Sequence, residues 1–162
     1  MNVFSYWRTE KNYIAPSHKK IVGMIASAAE AAGLNDSNCH ALCVSFLSSR
    51  RMAEINSDFL GHEGDTDVIS FDYRTGKSND DSLDPDDPDV EIFVCPAVAY
   101  REALKRKLPY SREIALYVAH GFLHAAGYDD LKPELKRKMR RAEKRVLKMM
   151  DEKASIPEMR VK

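Results

Sequence analysis

The stretch SREIALYVAHGFLHAAGYDDL, residues 111–131, decides how this chain is read. Ile114, Leu116, Val118, Phe122 and Leu123 supply apolar side chains on more than one side, which predicts a deeply packed helix. His120 and His124 stand four residues apart, and on a helix that spacing puts both rings on one face, one turn apart. Two unpaired histidines on a buried helix are costly to desolvate, and a shared metal ion removes that cost. A helix offers only two such adjacent ligands, so a third must come from where the chain turns. Gly127 provides the break, and Asp129 and Asp130 follow at once. The expected ligand set is therefore His120, His124 and Asp130. Three protein ligands with a position open to water is the usual arrangement of a catalytic zinc site. The bland reading is a pair of satisfied core histidines, and the glycine break with two carboxylates weighs against it.

Zinc peptidases of the HExxH pattern carry a glutamate as general base directly after the first histidine. Gly121 stands there instead, so the peptidase reading is weak. Two histidines and a carboxylate can also hold iron(II) for oxygen chemistry, but nothing else in the sequence points to an oxygenase.

Working outward, Ser111 is placed to cap a helix over 112–126, and Gly127 to end it. Pro96 suits the first turn of a helix reaching about residue 108, and Pro133 opens a long basic helix over 133–150. Leu135, Met139, Ala142, Val146 and Met149 are its expected buried side. Toward the N-terminus, Ile21, Met24, Ile25 and Ala28 recur at helical spacing over 15–32, with Gly33 placed to end the helix. Three short runs read as strands: HALCVSFL over 40–47, DVISFDY over 67–73 and VEIFVC over 90–95. A short helix lies over 49–58. The acidic, turn-rich stretch over 75–89 predicts an exposed, flexible loop joining two antiparallel neighbours. The expected fold is one α+β domain over 1–162, with helices packed on a small mixed sheet.

The chain has 162 residues, enough for one domain with a real core. No apolar run approaches the roughly 20 residues that cross a membrane, and residues 1–11 lack the pattern of a secretory leader. Cys39, Cys43 and Cys95 are odd in number and form no CxxC pair, so neither a disulfide framework nor a thiolate zinc site is indicated, and reduced thiols of a cytoplasmic protein are the expectation. A net charge of zero hides an acidic segment over 54–91 and a basic one over 101–148. Such a basic half can attract a polyanion such as RNA, although solvated helix faces look the same from charge alone. The run from Lys136 to Arg141 is the candidate to grip an RNA backbone, giving affinity without sequence preference.

The run HGFLHAAGYDD resembles the HGxLHxxGxDH signature of the YbeY family, the rRNA maturation factors and endoribonucleases. Asn56 with its following acidic turn, the TDVISF run and EIFVC before Pro96 agree in order and spacing. The resemblance implies a mixed sheet of about four strands with five or six helices and a metal site on a central helix. It implies a zinc ion, with His120 and His124 as the first two ligands. It further implies a single-strand endoribonuclease in small-subunit (16S) rRNA maturation and ribosome quality control, with RNA and the ribosome or its proteins as partners. Neither DNA nor a membrane is expected. Two departures stand out. Asp130 replaces the signature's third histidine, giving a harder site and a less acidic bound water. Leu60 follows Phe59 where many members carry an arginine, and His62, two residues on, is the candidate substitute.

The expected chemistry is attack on phosphorus by water or a ribose hydroxyl, assisted by the metal. Asp129 is the nearest candidate base, and equally a group that orients a ligand. Two rival readings remain: a non-catalytic ribosome-associated factor with a structural metal, and a metal-dependent hydrolase of another substrate.

Overall fold

The computed structural model describes residues 1–76, 84 and 87–162, and the acidic stretch read over 75–89 lies mostly outside them. Four strands form a mixed sheet in the order β1 (Asn2–Arg8), β3 (Ala41–Leu47), β5 (Val90–Val94), β4 (Val68–Asp72). β1 runs parallel to β3 and β3 parallel to β5, while β4 closes the edge antiparallel to β5. A two-residue pair, β2 (Tyr13–Ile14) and β6 (Arg160–Val161), joins the two ends of the chain.

Side chains alternate across the sheet, so the register assigns one face to the helices. Leu42, Val44 and Phe46 on β3 lie beside Val90, Ile92 and Val94 on β5, and all six are buried. Against this face pack α1 (His18–Ala32) and α4 (Tyr110–Ala125), with α3 (Pro96–Arg106) and α5 (Pro133–Glu152) alongside α4. α2 (Ser49–Leu60) is capped by Ser48, whose side chain accepts from the Arg51 N–H at 3.2 Å. Among the described residues the fold is a single α+β domain of five α-helices around one mixed four-stranded sheet.

α4 is the centre of this arrangement. Ile114, Ala115, Val118, Ala119, Phe122 and Leu123 are fully buried on several sides of it, as expected of a helix with neighbours all round. It touches α1, α3, α5, β4 and β5. Gly121 makes the approach to the sheet possible. A Cβ there would lie 2.8 Å from Ile92 Cδ1 and 3.0 Å from its Cγ2, closer than carbon atoms pack. Ser70 on β4 fixes the same crossing by donating its hydroxyl to the Gly121 carbonyl at 3.1 Å.

Three sequence expectations differ from the structure in detail. The N-terminal strand β1 was not foreseen. Its residues are half-buried or exposed along an edge, so NVFSYWR lacks the apolar run of a central strand. Ser111 does not cap α4: the N-cap position is Pro109, and the Ser111 hydroxyl instead accepts the Met159 N–H at 2.9 Å. On α5 the fully covered stripe is Met139, Ala142, Val146, Leu147 and Met150, so Leu135 and Met149 are only half-buried.

Candidate metal centre

His120 and His124 occupy the last turns of α4, where the helix leaves the core and both rings become partly exposed. Gly127 then adopts a left-handed backbone (φ 99°) that a side chain would strain. Its N–H meets the His124 carbonyl at 3.0 Å, and the Tyr128 N–H meets the Leu123 carbonyl at 3.0 Å, closing the helix. The next turn is built by Asp129. Its Oδ1 accepts the N–H groups of Asp130 (2.6 Å) and Leu131 (3.2 Å), a local side-chain turn that folds Asp130 back over the histidines.

The result is a convergence of three donors. His124 Nε2 lies 3.0 Å from His120 Nε2. The Asp130 carboxylate is 3.6 Å from His120 Nε2 and 3.8 Å from His124 Nε2. All three ligand atoms fall within 4.8 Å of one another, and the group could hold a metal ion. Ligands about 2.0–2.1 Å from a tetrahedral ion stand about 3.3 Å apart, so these separations suit one small cation.

Behind the pair stands Glu143 of α5, whose Oε1 is 2.7 Å from His120 Nδ1. An ionised carboxylate can only accept, so Nδ1 carries the proton and Nε2 presents a lone pair to the other donors. Two imidazole lone pairs cannot face each other at 3.0 Å without a proton or cation between them. Burial pulls the His120 imidazolium down, but the hydrogen bond and charge of Glu143, with the charges of Asp130 and Asp67, outweigh it. The ring therefore holds a proton above the ordinary histidine range.

His120 and Asp130 open onto a cleft of about 630 Å³ between α4, α5 and the end of α3, within the range of ligand sites. His120, Asp130 and Glu143 line it together with Asp67, Arg106, Lys136 and Arg140. Of the other residues singled out in the sequence, His62 is exposed on the turn after α2. Among the described residues no hydrogen bond or ion pair ties its side chain to the donors. Leu60 is exposed on α2 and does not line the cleft. Asn56 is buried and donates to the Gly64 carbonyl at 3.0 Å, holding the following loop. Thr66 donates to Asp67 Oδ1 at 3.2 Å.

Glu143 was missed by sequence reasoning. The available signal was a single acid within RRAEKRV, on a helix otherwise read as a basic face. Arg74, just after β4, also takes part in packing. It pairs with Asp72 at 2.6 Å and donates to the Ala125 carbonyl, tying the sheet edge to the end of α4.

Fold and site together define an α+β domain with a two-histidine, one-carboxylate group, able to hold a cation, where its central helix ends. The chain belongs to the YbeY family: the family model for endoribonuclease YbeY matches residues 6–151. The endoribonuclease YbeY of Lactobacillus gasseri is 32% identical over 107 residues, covering 62% of this chain and 61% of that protein. That of Frankia alni is 35% identical over 115 residues, with 68% and 63% covered. The Chlorobium phaeovibrioides protein is 32% identical over 115 residues, with 71% and 72% covered. The match thus spans about three fifths of the length of the first two relatives. A solution structure of a Thermotoga maritima protein shares the fold, with a TM-score of 0.54 at 20% identity, covering 94% of this chain and 95% of that one.

Proposed function

We propose that this chain is a zinc-dependent endoribonuclease, hydrolysing phosphodiester bonds of single-stranded RNA in small-subunit rRNA maturation. The observation that carries this reading is the convergence of His120, His124 and Asp130, backed by Glu143 on one side and open to a cleft on the other. A pair of satisfied core histidines needs no such cleft. Membership of a family named for endoribonuclease activity supports the choice of reaction. The exposed basic face of α5, with Arg137, Arg141 and Lys144, suits the phosphate backbone of RNA or of the ribosome.

His120, His124 and Asp130 would hold a divalent ion, which would supply Lewis-acid polarisation of a phosphoryl oxygen and a more acidic water. Glu143 holds the His120 ring and its tautomer, so that Nε2 stays aimed at the donor centre. Asp129 acts through its turn, positioning Asp130. His62 is available on its exposed turn to meet a substrate phosphate.

The deciding experiment is cleavage of a structured RNA by wild-type protein and by His124→Ala, purified identically. Loss of cleavage in the variant supports the nuclease. Equal cleavage by both would assign the activity to a contaminant and leave a binding factor.

Two expectations accompany this reading. Glu143→Ala lowers zinc affinity about 10- to 100-fold, as loss of a ligand's supporting carboxylate does elsewhere. Glu143→Gln, which keeps an acceptor, recovers part of it, and chelator competition reads both. Wild-type affinity in Glu143→Ala would remove the carboxylate from the site. Second, metal uptake displaces the His120 proton, which is held above the ordinary range. Affinity therefore rises with pH and falls about tenfold per unit below that pKa. Titrations between pH 5.5 and 8 measure the slope, and a flat profile contradicts the His120 assignment.

A further inference from the structure

Lys136, Arg140 and Glu143 lie at i, i+4 and i+7 on α5, so they form one stripe of that helix. Glu143 is committed to His120. The two cations beside it line the same cleft, and neither has an ion-pair or hydrogen-bond partner among the described residues. Unpaired cations facing a concave site concentrate field there and favour an anion.

Arg106 approaches from the end of α3 and is held differently. Its guanidinium lies 3.3 Å from the carboxylate of Glu113, which is 2% exposed, and 3.9 Å from Glu102. A buried carboxylate under an arginine fixes where that arginine points and lowers its freedom to follow solvent. The cleft therefore has a donor centre and, along one wall, three cations drawn from two helices.

We infer that Arg106, Lys136 and Arg140 form a second phosphate subsite, holding a phosphodiester adjacent to the one placed at His120, His124 and Asp130. This rests on the nuclease reading for what the donor centre does, and adds which part of the substrate the rest of the cleft takes. A substrate then needs at least two consecutive phosphates, which selects internal positions of a chain. It also locates the basic group that Leu60 does not supply: the cations come from α3 and α5 instead of α2.

The test uses zinc-loaded protein and a fluorescein-labelled 2′-O-methyl trinucleotide with two internal phosphodiesters, followed by anisotropy at several salt concentrations. Lys136→Gln/Arg140→Gln is compared with Lys19→Gln/Lys20→Gln, an equal charge change on exposed residues of α1 that do not line the cleft. The first pair is expected to bind at least about tenfold more weakly. Its log–log salt slope should fall by about 0.7, the value for one neutralised phosphate on a single strand. The second pair should stay within about twofold of wild type. Zinc content and melting temperature confirm that both variants are intact. Equal weakening by the two pairs, or none by the first, overturns the subsite. Binding is read without cleavage, so a protein that binds this way but does not cut refutes only the nuclease reading. One that cuts with unchanged binding in the first pair refutes only the subsite.

Discussion

Asp130→Ala is expected to lose its metal ion and, with it, more than about a hundredfold of RNA cleavage. Removing a supporting group already costs 10- to 100-fold in metal sites, and Asp130 is itself one of the three donors. It is also the only one not carried by α4. Its place depends on the Gly127 break and on the two hydrogen bonds that Asp129 accepts. Without its carboxylate, His120 and His124 keep their spacing but offer only two nitrogen ligands. Asp130→His should behave differently. It restores the histidine of the family signature in the same turn, so zinc is retained and cleavage survives. Rates and zinc content for the two variants decide the matter together. A metal-free Asp130→His protein would show that this turn suits only a carboxylate. An active Asp130→Ala protein would remove Asp130 from the ligand set.

Gly121→Glu carries the second large effect, and it falls on stability. This substitution recreates the HExxH pattern, yet no catalytic glutamate fits there. Even a Cβ at that position meets Ile92 at 2.8 Å, and Ile92 is fully buried. A longer side chain must displace the β5 contact, and its carboxylate would enter an apolar layer without a partner. The expected loss is at least about 3 kcal/mol, which lowers the melting temperature by roughly 6–12 °C in a domain of this size. Gly121→Ala separates the two causes. Its gain in helix propensity, about 1 kcal/mol, opposes the overlap with Ile92 and leaves a small net change. Thermal unfolding of both variants in excess zinc is the check. Wild-type stability in Gly121→Glu would mean that α4 does not press on the sheet as described.

Much of this was legible in the sequence because the decisive contacts are local. The His120–His124 spacing, the Gly127 break and the following acids lie within eleven residues, and helix periodicity places them without knowledge of the fold. The apolar runs around Val44 and Ile92 likewise announce buried strands. What was not legible depends on long-range packing. β1 earns its pairing from β3, some forty residues away, and its half-exposed side chains carry no strong strand pattern. Glu143 acquires its role only because α5 folds back along α4, and the same packing turns Lys136 and Arg140 toward the cleft. The sequence offered Asp129 as a base or a support, and it carried no sign of the turn that its hydrogen bonds to the backbone of Asp130 and Leu131 build. Which face of α5 is covered was read one position out at Met149, because Leu147 and Met150 pack in its place.

The most direct test of the central claim is the metal content of untagged protein purified without added metal, measured per chain by mass spectrometry. About one zinc ion per chain, absent from His124→Ala and Asp130→Ala, is the result expected of a three-donor site. Wild-type protein that stays metal-free even after zinc is supplied would contradict it, and His120, His124 and Asp130 would then be a hydrogen-bonded cluster without catalytic metal chemistry.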